Sequence, residues 1–232
     1  MTTYPPAPTP YVLEEELRQL LDIPTTDDAT DVDTQRALDA GRAWIDWFTG
    51  RTFGAGPAGT ERVYPATTED AVDVVDLQST APTIEVDTAG DRTYATTLVP
   101  AQYAFEPVSG PPFHTILAWP VPAGGVAPIV FEPGQLVRVT GQWGYTDSRG
   151  RIPANVAQAN LLLGARLYKR RELPLGTLES QQLDVFQRIT DRDPDVVAML
   201  FPVCRPGSPG AALASTAFPG ASLTGGSAWV MV

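Results

Sequence analysis

The residues best suited to nucleophilic or metal chemistry in this 232-residue chain are a single histidine, His114, and a single cysteine, Cys204. A Ser-His-Asp arrangement would have to use His114, yet the surrounding PPFHTILAW carries no G-x-S-x-G elbow. It reads as an ordinary strand histidine. A metal held by imidazole and thiolate would need several carboxylates to join His114 and Cys204, and nothing in the spacing brings them. The run TDRDPD sets Asp191, Asp193 and Asp195 at alternate positions, as a calcium loop begins. It then fails, with Val196 where the turn glycine belongs and Pro202 where the closing glutamate belongs. DDATDVD fails the same template. The glycine-rich GAGPAG (54–59) and GPPF (110–113) lack both the dinucleotide fingerprint and a P-loop lysine, so they read as turns. No catalytic, cofactor-binding or metal-ligating residue is assigned, and no cofactor is expected. The enzymatic alternative is a carboxylate-based hydrolase in the β-rich region, betrayed by buried carboxylates clustered in a cleft.

The elements around these residues are more telling. From Ala154 to Tyr168 the chain is apolar nearly all round at a helical period, so this helix must be covered on several sides. Gly164, which costs a helix about 1 kcal/mol, implies close packing there. Pro153 suits the first turn. The helix ends in Arg166, Lys169, Arg170 and Arg171, a charge cap for the dipole or a docking site on an acidic neighbour. Upstream, a helix is expected over about 11–22, with Leu13, Leu17, Leu20 and Leu21 at helical spacing and Glu14–Glu16 near its positive end. A second should run to about Thr49, capped by Asp31 or Asp33 and stopped by Gly50. Its inner stripe is Ala37, Gly41, Trp44, Ile45 and Phe48. Trp47 falls off that stripe and is a candidate for packing on the β-rich region or a neighbouring subunit.

Between Thr60 and Tyr145 the period becomes two, in seven runs separated by proline and glycine turns, with a hairpin expected at Ala89-Gly90-Asp91. The fold class is therefore α+β: a bundle of about four helices with a β-rich insertion between the second and third, and extended arms at both ends. The expected boundaries are an arm over 1–10, a helical domain over 11–59 and 146–204, the insertion over 60–145 and a tail over 205–232. A linker spans 173–191, and a short helix follows, capped by Asp193 with Pro194 first. The Pro/Gly/Ala/Ser-rich tail ends in SAWVMV, and such a composition is most easily ordered by lying on another chain. Trp229 and Val230 would then make the contact, by strand addition to a partner's sheet edge.

The chain carries 27 acidic and 16 basic residues, a net charge of −11, which opposes nucleic-acid binding through a broad basic face but suits a channel where DNA slides without sticking. One cysteine allows no intrachain disulfide. No apolar stretch reaches membrane-span length, and MTTYPPAPTP lacks the features of a signal peptide, so use in the cytoplasm, or assembly there into something larger, is expected. Only Lys169 among the basic residues is lysine, a bias of GC-rich genomes.

Taken together, the acidic first helix, WIDWFTGRTF (44–53), VTGQWGY (139–145) before a helix entered through proline, RLYKRRE (166–172) and DPDVVAMLFPVCR (193–205) resemble the head-to-tail connector, or adaptor, proteins of long-tailed bacteriophages. The resemblance covers roughly 11–53 and 139–205 and rests on order and spacing. With the arginine bias it suggests an actinophage-like member. It implies a non-enzymatic ring, usually of twelve copies, in the virion neck, below the portal protein. That ring would join the portal to neck (stopper) or tail-terminator proteins while double-stranded DNA passes through. The helix over 154–171 would then be a wall element whose Arg166, Lys169, Arg170 and Arg171 face a neighbouring copy or the portal. A head-completion or tail-terminator protein is the alternative within the same class. The long β insertion and the tail depart from the smaller members.

Overall fold

The computed structural model describes residues 10–24, 31–118, 127–170 and 194–217. Mixed helix and sheet are observed, as the α+β reading requires, and the chain folds as two compact units. Among the described residues, one spans 52–151 and the other joins 10–51 to 152–170 and 194–217.

Among its described residues the helical unit holds α1 (Glu14–Leu20), α2 (Asp31–Thr49), α3 (Ala154–Arg170), α4 (Pro194–Leu200) and α5 (Pro209–Ala217). α1 is shorter than the spacing predicts. Leu13 is extended, and Asp22 adopts a left-handed φ of 55° that ends the helix. Tyr11, left outside, donates its hydroxyl to Asp46 of α2, with the Arg42 guanidinium 4.7 Å from its ring centroid. α2 already includes Asp31 and Asp33, so neither is its N-cap; the capping position lies outside the described residues. Gly50 stops α2 as expected, at φ 66° with its N–H on the Asp46 carbonyl.

α3 lies against α2, α1 and α4, which explains its apolar circumference. Pro153 sits one residue ahead of the helix rather than inside it, and its carbonyl accepts from Ala157. The glycines set the approach. A Cβ at Gly164 would meet Leu38 Cδ2 at 2.9 Å, and one at Gly41 would meet Asn160 Oδ1 at 2.7 Å. Going back from Gly41 to Leu38 along α2 moves forward from Asn160 to Gly164 along α3, so the two helices run antiparallel. Leu17, Leu38, Val12 and Ala165 fill the space beside Gly164. α4 begins at Pro194 and is tied to α3 by Asn155 Nδ2 donating to the Met199 carbonyl at 2.8 Å. Asp193 lies outside the described residues.

α5 corrects one expectation. The segment from Arg205 is not wholly an extended tail, because Pro209–Ala217 forms a helix on its own subunit. Arg205 donates its N–H to the Thr49 carbonyl, Ser208 caps the helix through Ala211 N–H, and Ala211 is buried. Gly210 seats so closely that a Cβ would lie 2.5 Å from Cys204 Sγ and 2.7 Å from Phe48 Cε1. The Ser208-Pro209 pair is an N-terminal helix signature that could have announced it.

The β unit holds β1 (Thr60–Pro65), β2 (Ala71–Leu77), β3 (Thr83–Val86), β4 (Thr96–Thr97), β5 (Tyr103–Glu106), β6 (Phe113–Ala118) and β7 (Leu136–Gly141). They pair antiparallel in two sheets, ordered β1-β7-β3-β4 and β2-β6-β5. Alternate residues point inward, and Val72, Val74, Ile84, Val86, Ile116 and Val139 are fully buried. The run RTYATTLV keeps only two strand residues, because Arg92 and Tyr94 take positive φ of 64° and 50°. The hairpin around Gly90 is correspondingly long, held by Asp87 accepting from the N–H groups of Asp91 and Arg92.

Beyond β7, Gln142–Tyr145 zips onto 52–56. Gly54 N–H bonds the Tyr145 carbonyl, Gly56 N–H the Trp143 carbonyl, and Tyr145 N–H the Thr52 carbonyl. Gly144, at φ 127°, has room for no side chain, since a Cβ would sit 2.0 Å from the Gly54 carbonyl oxygen.

Candidate interface surfaces

The residues with chemical potential are placed for structure. His114 is exposed on β6, its Nδ1 3.3 Å from Thr115 Oγ1. Cys204 is buried, its thiol directed at the Leu200 carbonyl 3.4 Å away, and burial pushes its pKa up to about 11. Buried and held protonated, the thiol is a poor nucleophile. Among the described residues no group of three or more His, Cys, Asp or Glu gathers where it could hold a metal ion. Asp191 lies outside the described residues. Several carboxylates of the β unit are occupied by turns and strand pairs. Asp87 and Asp91 hold the long hairpin, Asp73 accepts from Thr115, and Glu85 pairs with Arg138 at 2.8 Å. Thr93 hydrogen bonds lower the pKa of Asp91, as expected of a turn carboxylate.

The surface of the helical unit is more suggestive. At the end of α3 the side chains of Arg166, Lys169 and Arg170 are all exposed, while Tyr168 between them is buried. The alternation follows from the helix: 165 and 168 share the inner face, and 166, 169 and 170 share the outer one. Arg171 lies outside the described residues. Because α2 and α3 are antiparallel, this basic end is beside the N-terminal end of α2. The antiparallel helix dipoles favour that arrangement.

α1 divides its carboxylates. Glu14 is occupied inside the unit, accepting from Thr34 Oγ1 at 2.6 Å and from Arg18 Nε at 3.3 Å. Arg18, itself buried, also donates to the Pro24 carbonyl. Glu15 and Glu16 are exposed, and with them Leu13 and Leu20, which retain 59% and 49% of their surface. Glu14, Glu15 and Glu16 are consecutive at the start of the helix. The structure separates a structural glutamate from two outward ones, as helical periodicity next to Leu17 requires.

Trp47 is 57% exposed on α2, its ring centroid 6.4 Å from that of Trp44. Trp44 stacks on buried Phe48 at 4.8 Å, so the inner stripe is core, as read from spacing. Trp229 and Val230 lie outside the described residues.

No family model matches the chain, and no curated protein matches it. Solved structures do. A chain in the neck of an empty GTA particle, computed with C6 symmetry, is 23% identical with a TM-score of 0.52, over 84% of this chain and 92% of that one. A chain from the virion of a native gene transfer agent (GTA) particle is 20% identical with a TM-score of 0.48, covering 88% and 95%. A chain in the neck of a native GTA particle, computed with C12 symmetry, is 20% identical with a TM-score of 0.43, covering 84% and 94%. The first of these likenesses shows a shared fold.

Proposed function

We propose that this protein is a structural component of the neck of a tailed, phage-like particle. In this reading it is an adaptor: a ring below the portal that joins it to the proteins leading to the tail and lets DNA pass. The observation that carries the reading is the fold shared, over most of both chains, with a chain from the neck of a GTA particle. The order of helical motifs that resembles head-to-tail connectors supports it independently, as does the assignment of many described carboxylates and the thiol to structural tasks. A net charge of −11 suits a channel wall that releases DNA.

Twelve copies is the number the connector resemblance implies, and the six-fold symmetry of the neck that holds the similar chain is compatible with it. Native mass spectrometry of the assembled ring should give twelve times the 24.9 kDa chain. The decisive test is imaging of tailed particles carrying a labelled copy of this protein. Density at the head-tail junction next to the portal is expected. Label inside the head or along the tail tube would overturn the reading, and label at the tail-proximal end of the neck would favour a head-completion or tail-terminator role.

A further inference from the structure

We propose, resting on the neck-ring reading, that neighbouring copies of this chain meet with the outer face of α1 of one copy against the basic end of α3 of the next. A chain of net charge −11 repels its own copies over most of its surface, so a contact that sets positive surface against negative is favoured. The C-terminal end of α3 concentrates that positive surface: four of the chain's 16 basic residues fall between Arg166 and Arg171, and Lys169 and Arg170 are exposed.

The complementary face is chosen by combining charge with exposed apolar area. Glu16 and Leu20, four residues apart, share one outward face of α1, and Glu15 and, just ahead of the helix, Leu13 are exposed as well. An exposed leucine beside an outward carboxylate combines apolar area with the charge that a basic partner needs. Within one chain α1 and α3 touch through Leu17 and Gly164, and the proposed contact uses their outward faces. Set head to tail, with α1 of each copy on α3 of the next, the contact is heterologous and can close a ring around an axis.

Charge reversal in pairs tests this. Lys169→Glu with Arg170→Glu in one chain, and Glu15→Lys with Glu16→Lys in another, should each leave a folded protein whose self-association is weakened at least about ten-fold. A 1:1 mixture of the two should assemble again, because every contact in an alternating ring then pairs opposite charges. Sedimentation velocity at low salt reads the result. Single variants that assemble like the wild type, a mixture that stays monomeric, or a wild type that is itself monomeric at high concentration would each overturn the proposal. A second measurement covers the case in which charge reversal unravels α1. A chain carrying Glu16→Cys and Lys169→Cys should form a ladder of disulfide-linked oligomers under mild oxidation, while either cysteine alone should not. Absence of the ladder overturns the pairing. Particle imaging tests the neck role separately, so its failure would leave the measured self-contact standing.

Discussion

Cys204 shows how a residue with reactive potential is assigned to packing. Burial holds its thiol near 11, above the ordinary 9.0, so the stability this site contributes is intact below pH 9 and is lost as pH rises from 9 towards 11, where the unfolded thiol ionises first. The urea midpoint of the wild type should therefore fall relative to that of Cys204→Ala between pH 8 and pH 10.5. Asp46 behaves in the same sense at the acid end. Burial raises its pKa, with the Tyr11 hydroxyl and Arg42 partly opposing. The proton is taken up by the folded state first, so the wild type should gain stability relative to Asp46→Asn as pH falls from 7 towards 4, measured by thermal unfolding across that range. Gly210 is the tightest contact of α5, and its Cβ would also lie 2.9 Å from the Phe48 carbonyl oxygen, which cannot swing away. Gly210→Ala should destabilise by about 1–3 kcal/mol in urea unfolding.

At the level of elements, the attachment of α1 depends on few groups: Leu17 in the core, and Glu14 linking Thr34 to Arg18. Removing the Thr34 hydroxyl leaves a half-buried carboxylate short of a donor. Thr34→Val should cost about 1–3 kcal/mol and raise amide exchange in 14–20 more than in α3. The long helix was legible from its composition, since an apolar circumference and an interior glycine demand neighbours on several sides. α5 was not, because its run of alanines and other small residues has little hydrophobic periodicity. It is fixed by a serine cap and by the notch between Phe48 and Cys204, neither of which a local pattern contains.

Across the whole molecule, the chain enters and leaves the β unit at 51–52 and 151–152, and that unit has its own buried core around Val72, Ile84, Ile116, Val139 and Trp143. Expressed alone, residues 52–151 should fold into a β-rich domain with one cooperative thermal transition, read by circular dichroism. Helix-dominated ellipticity or a gradual melt would contradict that. At this scale rising salt screens both the attraction between the proposed patches and the repulsion between net-acidic copies, so the charge-reversed variants and the wild type should converge in self-association at high salt, read by sedimentation velocity.

By itself the sequence determined the periodicities, and with them the α+β class, the seven strand positions and the inner stripe of α2. These depend only on which neighbours along the chain share a face. It also left no catalytic motif. Tertiary structure decided how the carboxylates divide, with Glu14 turned inward and Glu15 and Glu16 outward. It also made part of the apparent tail a helix, and zipped VTGQWGY onto the glycine-rich 52–56 segment. Those outcomes rest on contacts between residues 20 to about 160 positions apart, such as Glu14 with Thr34 or Gly210 with Phe48, and no local pattern encodes a distance of that kind.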